Sequence, residues 1–113
     1  DGRLTALDSV VTGQAATCWA VLAGGVAYVS NAGSGTLSAY RVDSHGRLTG
    51  LGTTATDAGT VDAAVSGDGR YLYVQAGAAG NVDAYRIGRD GSLTPTGSVT
   101  VPDAAGAEGI VAP

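Results

Sequence analysis

The sequence predicts an all-β fold built from repeated four-stranded antiparallel sheets. The 113-residue chain is 44% hydrophobic and contains 19 Gly. Its apolar residues are mostly Ala, Val and Leu, and together with Thr and Gly they favour short strands joined by tight turns. No apolar period of 3.6 residues runs long enough to indicate a helix. The third observation is an internal repeat, which determines how the strands are grouped.

The repeat has a period of 44 to 45 residues. The motif GRLT at residues 2–5 recurs at residues 46–49, and again as GSLT at residues 91–94. The motif AYRV at residues 39–42 recurs as AYRI at residues 84–87. Periods of about 40 to 50 residues are typical of propellers and other repeat architectures.

Each unit resolves into four short extended segments. In the first unit we expect strands at residues 18–22, 26–30, 36–42 and 48–56. In the second unit we expect them at residues 62–65, 71–75, 81–87 and 93–101. The dipeptides between them tolerate the positive φ angles of hairpin turns. These dipeptides are Gly24-Gly25, His45-Gly46, Asp68-Gly69 and Asp90-Gly91.

The third strand of each unit is apolar on both faces. In the first unit Leu37 and Ala39 alternate with Tyr40 and Val42, and residues 81–87 repeat the pattern. A sheet with two apolar faces must be covered on both sides. A four-stranded antiparallel sheet stacked between similar sheets is the blade of a β-propeller, and this chain predicts an incomplete ring of such blades.

The strand count divides the chain into four parts. Residues 1–12 are the last strand of a preceding blade, residues 13–56 and 57–101 are blades, and residues 102–113 are the first strand of the next blade. This amounts to about two and a half blades, whereas propellers have about 4 to 8. We therefore expect the remaining blades, or further copies of the chain, as partners. The isolated chain is expected to be inactive and to self-associate.

Composition argues against several classes of partner. The net charge is -4 with six Arg and no Lys, which disfavours nucleic acid and anionic membranes. The apolar window at residues 15–29 is too interrupted to span a membrane. His and Cys lack metal-ligand spacing, so no metal and no cofactor is expected. The single Cys18 cannot form an internal disulfide, and a cytoplasmic and a secreted location both remain open.

Several phrases resemble the lactonase-family seven-bladed β-propellers, which include 6-phosphogluconolactonase-like proteins. They are TCWAV (17–21), YVSNAGSGTLSAYRV (28–42), SGDGRYLYV (66–74) and DGSLT (90–94). The phrase YVSN is also similar to the Tyr-Val-Thr-Asn repeat of surface propellers. The resemblance implies a C-terminal fragment of a bacterial lactonase-like propeller. In the full-length protein it implies hydrolysis of a sugar-type or other small lactone.

Candidate site residues follow from the propeller geometry, in which ligands bind at one end of the central channel. Glu108, the single Glu, begins an innermost strand, and Asp62 holds a comparable place in the second blade. A carboxylate there could activate water on a lactone carbonyl or hold a cation. Asp57 and Asp103 lie in the loops leading into innermost strands. These four acids either form an acidic channel mouth or cap turns and hydrogen-bond to loop amides.

Three further residues are candidates for ligand binding. Asn31 and Gln75 lie at the ends of second strands, where they either orient a sugar-like substrate or cap their own loops. Trp19 either stacks on a ligand or wedges between neighbouring blades. Cys18 is interpreted as a small buried hydrophobe and His45 as a solvated turn residue.

An alternative function is a non-catalytic propeller that serves as a binding or scaffolding module, extracellular or on a cell surface. The chemistry implied by the resemblance uses His, Arg and Glu side chains from several blades. A matching set is not found here, since all six Arg residues lie in or beside the outer strands. The low charge and the phrase YVSN also favour this alternative.

Overall fold

A computed structural model describes residues 1–113 and confirms an all-β fold without helices. Eight strands form two separate four-stranded antiparallel sheets, ordered β1-β2-β3-β4 and β5-β6-β7-β8. The structure has no helix with the length and apolar character needed to cross a membrane. The strands are β1 (Thr17–Ala23), β2 (Val26–Asn31), β3 (Thr36–Val42), β4 (Leu48–Ala55), β5 (Thr60–Val65), β6 (Tyr71–Ala76), β7 (Asn81–Ile87) and β8 (Leu93–Thr100).

The two sheets share one pattern of strand pairing. Between β3 and β4, Ala39 faces Gly52 and Tyr40 faces Gly50, so a bulge lies between the two pairs. Between β7 and β8, Ala84 faces Gly97 and Tyr85 faces Pro95, which places a second bulge at the equivalent point. The sequence repeat is therefore a structural repeat, with both sheets bent at the same position.

The hydrophobic core lies between the two sheets. Tyr28 of β2 and Leu72 and Val74 of β6 are fully buried there. Val26 and Tyr85 belong to the same core cluster. The innermost strands β1 and β5 lie side by side. One face of each sheet is thus covered by the other sheet, as expected for adjacent blades.

The terminal segments contain no strand, although residues 1–12 and 102–113 were each expected to supply a strand of a neighbouring blade. A strand exists only where a neighbour pairs with it, and neither segment has such a neighbour here. Leu4 is 99% exposed and Val111 is 90% exposed. The assignment of these segments to a preceding and a following blade remains a prediction.

Both segments nevertheless lie against the sheets in positions that fit this assignment. The Leu7 side chain lies against Gly46, as Leu51 lies against Gly91 in the second repeat. At the other end, the amide of Gly67 donates a hydrogen bond to the carbonyl of Pro113 at 2.6 Å. The N-terminal segment therefore contacts the first sheet and the C-terminal segment contacts the second.

Candidate functional site

A cavity of about 510 Å³ opens where the innermost strands β1 and β5 meet the C-terminal segment. Its wall is mainly apolar, and its two acidic groups are Asp62 and Glu108. Three of the predicted site residues, Trp19, Asp62 and Glu108, are therefore brought together. The lining residues are Ala16, Cys18, Trp19, Ala32, Val61, Asp62, Glu108 and Gly109.

The repeat explains why the cavity forms at this place. The amide of Ala32 donates to the carbonyl of Ala16, and the amide of Gly77 donates to the carbonyl of Gly59. Ala16 and Gly59 are therefore equivalent, and both have positive φ, 53° and 76°. Counting on from them, Cys18 corresponds to Val61 and Trp19 to Asp62. Each innermost strand thus places two consecutive residues in the wall. Aligning the two repeats in the sequence is enough to pair these positions.

The carboxylate of Asp62 accepts hydrogen bonds from two main-chain amides. Its side chain is 6% exposed. Oδ1 accepts a hydrogen bond from the amide of Ala63 at 2.7 Å, and Oδ2 accepts one from the amide of Ile110 at 2.9 Å. Asp62 therefore joins β5 to the C-terminal segment, and both of its oxygens already have a donor.

Glu108 is the available acid in this cavity. It is exposed, and it lies two residues before the amide that Asp62 holds. No hydrogen bond within the protein engages its carboxylate, in contrast to that of Asp62. A carboxylate in this condition can accept a proton from a bound water or hydrogen-bond to a hydroxyl group of a ligand.

Trp19 and Cys18 of β1 also line the cavity. Trp19 is 48% exposed, so a substantial part of the indole is open to a ligand. Cys18 is also exposed, and its Sγ lies 3.9 Å from the carbonyl oxygens of Ser30 and Val61. The interpretation of Cys18 as a buried hydrophobe is wrong, because its strand is innermost and the residue faces the cavity.

Asn31 lies outside the cavity and holds its own loop. It is fully buried, and its Nδ2 donates to Thr36 Oγ1 at 3.1 Å and to Ser38 Oγ at 2.9 Å. Its Oδ1 accepts a hydrogen bond from Thr17 Oγ1 at 2.8 Å. These contacts fix the turn between β2 and β3, which is the capping alternative considered for this residue.

Gln75 is also outside the cavity wall. It is buried, and its Oε1 has no hydrogen-bond partner. The hydroxyl of Ser30, at the equivalent position of β2, is likewise buried without a partner. Both residues lie opposite the irregular pairing of the innermost strands, where the ladder is interrupted.

Asp57 and Asp103 do not join Asp62 and Glu108 in an acidic mouth. Asp57 Oδ2 accepts a hydrogen bond from Asn81 Nδ2 at 2.7 Å, and its amide donates to Asp83 Oδ2 at 2.9 Å. Asp57 and Asp83 line a separate hollow of about 340 Å³ beside Tyr85. Asp103 is an exposed turn residue with φ of 58°.

Burial, followed by the nearby charges of Asp83 and Asp57, raises the pKa of Tyr85 to about 12. The phenol therefore remains protonated near neutral pH and acts as a hydrogen-bond donor. No group of three or more His, Cys, Asp or Glu side chains is placed to hold a metal ion.

Comparison with known proteins places the chain in a family. The family model described as a seven-bladed β-propeller lactonase matches residues 1–109. The chain belongs to this lactonase family. No curated protein sequence gives a significant match. The resemblance found in the repeat phrases is thus confirmed at the level of family and fold.

Solved structures share the fold of this lactonase-family chain. A protein of Bacteroides fragilis NCTC 9343, named as a candidate 6-phosphogluconolactonase, is 28% identical with a TM-score of 0.69, over 75% of this chain and 26% of that one. The periplasmic gluconolactonase of Pseudomonas aeruginosa is 22% identical with a TM-score of 0.71, over 76% and 27%.

A protein of unknown function from Desulfotomaculum acetoxidans DSM 771 is 19% identical with a TM-score of 0.71, over 85% of this chain and 32% of that one. The lactonase-family chain therefore spans between 26% and 32% of the length of these three proteins. This partial coverage agrees with a fragment that contains only some blades of the ring.

Proposed function

We propose that this chain contributes part of the active site of a lactone-hydrolysing β-propeller. The cavity between β1, β5 and the C-terminal segment is the substrate site, and Glu108 is the general base. One observation carries the proposal: the Glu108 carboxylate accepts no hydrogen bond within a mainly apolar cavity, while each oxygen of the neighbouring Asp62 already accepts one from the main chain. The gluconolactonase names of two solved structures support a sugar-type lactone as the substrate.

The reaction requires water to attack the lactone carbonyl. Glu108 accepts the proton of the attacking water as the new carbon–oxygen bond forms and the carbonyl oxygen becomes an oxyanion. The ring carbon–oxygen bond then breaks, and the proton held by Glu108 passes to the departing alkoxide. A general base of this kind contributes about 10²–10⁴-fold to the rate.

The oxyanion must be stabilised by hydrogen-bond donors or by a cation. This chain supplies only some of these groups. No Arg or His lines the cavity. The indole N–H of Trp19 is one donor in the wall, since Trp is a donor only. The remaining donors come from other blades of the ring, which is why the isolated chain is expected to be inactive.

Asp62 acts as a positioning residue in this proposal. Its hydrogen bond to the amide of Ile110 fixes the segment that carries Glu108. Loss of this bond displaces the base without removing it. We therefore expect Asp62→Asn to lower kcat and stability together, whereas Glu108→Gln lowers kcat alone.

The test uses a protein that carries the complete ring, with gluconolactone and its 6-phosphate as substrates. Glu108→Gln is expected to lower kcat/KM by about 100-fold or more with an unchanged Tm, because the base is lost and no structural contact is broken. Glu108→Asp, which keeps the carboxylate but shortens the side chain, is expected to retain part of the rate. Full activity of Glu108→Gln overturns the assignment of the base.

A second function, carbohydrate binding without hydrolysis, is favoured by one observation. The half-exposed indole of Trp19 provides a flat aromatic surface in a cavity whose buried acid is already occupied. Trp19 is the single Trp of the chain, so its fluorescence reports on the cavity directly. A saturable change in Trp19 emission with sugars, unaccompanied by lactone turnover, supports this second function, and calorimetry should show weaker sugar binding by Trp19→Phe.

A further inference from the structure

We propose that the cavity beside Glu108 selects uncharged lactones and rejects lactones that carry a phosphate or carboxylate group. The negative charge of the cavity wall makes this selection. The same charge expels the product, because hydrolysis converts an uncharged lactone into an anion. The substrate class named here rests on the proposed lactone hydrolysis and narrows it.

The charged groups of the cavity wall are all acidic. Three pairs of consecutive residues line the cavity, namely Cys18-Trp19 of β1, Val61-Asp62 of β5 and Glu108-Gly109 of the C-terminal segment. Asp62 and Glu108 are the charged members of these pairs, and neither Arg nor His belongs to the wall. An anionic ligand therefore meets like charge in this wall and finds no cation there to bind.

The cations of the chain are held away from the cavity. They are six Arg residues, since the chain has no Lys. The Nη2 of Arg41 donates a hydrogen bond of 2.8 Å to the carbonyl of Asp90 in the hairpin between β7 and β8. The Nε of Arg70 lies 2.7 Å from Asp68 Oδ2 in the hairpin between β5 and β6. The cavity lies at the beginning of β5 and this hairpin follows its end, so the strand separates Arg70 from the cavity.

The rest of the wall suits an uncharged ring. The wall is mainly apolar, and the indole of Trp19 is half-exposed in it. An indole offers its apolar face to the C–H groups of a ring and its N–H to a hydroxyl or carbonyl oxygen. Both oxygens of Asp62 already accept main-chain hydrogen bonds, so Glu108 is the carboxylate left to contact a ligand.

A phosphate in this cavity brings its charge close to the Glu108 carboxylate. Repulsion between like charges is stronger beside an apolar wall than in bulk water, because the surroundings screen it less. A single guanidinium from another blade would pair with Glu108 and so neutralise the wall without making it cationic. An anionic lactone therefore loses binding free energy in this cavity that an uncharged lactone does not lose.

Hydrolysis changes the charge of the ligand from zero to negative. Water adds to the carbonyl carbon, the ring carbon–oxygen bond breaks, and the product is a hydroxy acid. That acid loses its proton to solvent near neutral pH, since carboxylic acids have pKa values of about 4. The new carboxylate and Glu108 then repel one another, which favours release of the product. We expect gluconate to inhibit weakly, with an inhibition constant at least about tenfold above the KM of the lactone.

The test compares gluconolactone with its 6-phosphate in a protein that carries the complete ring. The kcat/KM of the uncharged lactone is expected to be higher by about tenfold or more. Equal values, or a preference for the 6-phosphate, overturn the proposal. A gluconate inhibition constant at or below the KM of the lactone also overturns it, because the product would then be retained.

Cys18 provides a matched pair of variants that separates charge from shape. It is exposed, it lines the cavity, and it has no part in the proposed reaction. Cys18→Arg adds a cation to the wall and is expected to raise the kcat/KM of the 6-phosphate relative to the uncharged lactone by about tenfold. Cys18→Gln adds a long polar side chain without charge and is expected to leave this ratio unchanged. The same ratio in both variants contradicts selection by charge.

The substrate selection and the lactone hydrolysis fail on different results. A high rate on the 6-phosphate that is lost in Glu108→Gln keeps Glu108 as the base and overturns the selection. If the complete ring hydrolyses no lactone, the hydrolysis fails, and calorimetry with glucose and glucose 6-phosphate still measures the selection. Glucose is then expected to bind and the phosphate is not, and any other result overturns the selection.

Discussion

The phenol of Tyr85 in β7 donates a hydrogen bond of 3.0 Å to the carbonyl of Ala55 at the end of β4. The bond from Tyr28 to Gly91 runs in the opposite direction, from the first sheet to the second. Two buried phenols therefore join the sheets reciprocally, each to a main-chain carbonyl of the other. Together with the packed core, these directional bonds fix the relative position of the two sheets.

The raised pKa of Tyr85 predicts a loss of stability at alkaline pH. Its pKa is raised from 10.0 to about 12, chiefly by burial, so the folded state holds the phenolic proton more tightly than the unfolded state. The contribution is fully present below pH 10 and is lost as pH rises towards 12. Urea unfolding between pH 8 and about 12 measures this loss. Tyr85→Phe is expected to flatten the alkaline part of the curve, and an unchanged curve contradicts the assignment.

Gly91 is expected to tolerate no side chain. A Cβ there would lie 2.9 Å from Leu51 Cδ1 and 3.0 Å from Val26 Cγ2, and the backbone has φ of +89°. Gly91→Ala should therefore lower the free energy of unfolding by about 1–3 kcal/mol, because overpacking and backbone strain combine.

Gly97 is the matched control for this substitution. A Cβ at Gly97 meets nothing within 4 Å. Gly97→Ala is expected to be neutral or to stabilise by up to about 1 kcal/mol, since it lowers the entropy of the unfolded chain. Urea unfolding of the two variants compares them, and equal losses would show that the inter-sheet contact at Gly91 is not tight.

Asp62→Asn is expected to lower the free energy of unfolding by about 1–3 kcal/mol. The substitution replaces a carboxylate that accepts hydrogen bonds from the amides of Ala63 and Ile110 with an amide that accepts fewer. Asp103→Asn is the control, because Asp103 is an exposed turn residue and Asn also adopts positive φ readily. A stability equal to that of Asp103→Asn would mean that the C-terminal segment is not held by Asp62.

Asp68, in the hairpin between β5 and β6, is expected to have a low pKa. A hydrogen bond from the Ser66 hydroxyl, followed by those from the amide and side chain of Arg70, lowers the pKa of Asp68 from 3.8 to about 2. Its stabilising effect is present above pH 3.8 and is lost as pH falls towards 2. Titration by NMR should give this pKa, and Ser66→Ala should raise it. A value near 3.8 in the parent would contradict the hairpin geometry.

Much of the fold could be predicted because the turns are marked in the sequence. The expected bounds of β3 and β7 agree with the structure, since Gly35 and Gly80 precede these strands with φ of 61° and 69°. The innermost strand β5 begins earlier than expected, at Thr60. Its irregular pairing between Thr60 and Ala63 breaks the alternation by which strands are recognised.

The site could be predicted only in part. Asp62 and Glu108 were expected near one another, and they line one cavity because both lie on the innermost layer. The alternative in which these acids hydrogen-bond to loop amides describes Asp62, but the sequence does not identify the amide of Ile110 as a donor, since Ile110 is distant in sequence. The expectation for Cys18 failed because apolar character does not distinguish a core position from a position on the channel.

We expect these two sheets, as adjacent blades, to need further blades over their outward faces. Native mass spectrometry of the 113-residue chain tests this most directly. The same sample is also assayed by fluorescence with a dye that binds exposed apolar surface. We predict self-association or strong dye binding, because soluble monomers rarely expose large apolar faces. A monomer that binds no dye and unfolds cooperatively would contradict the account.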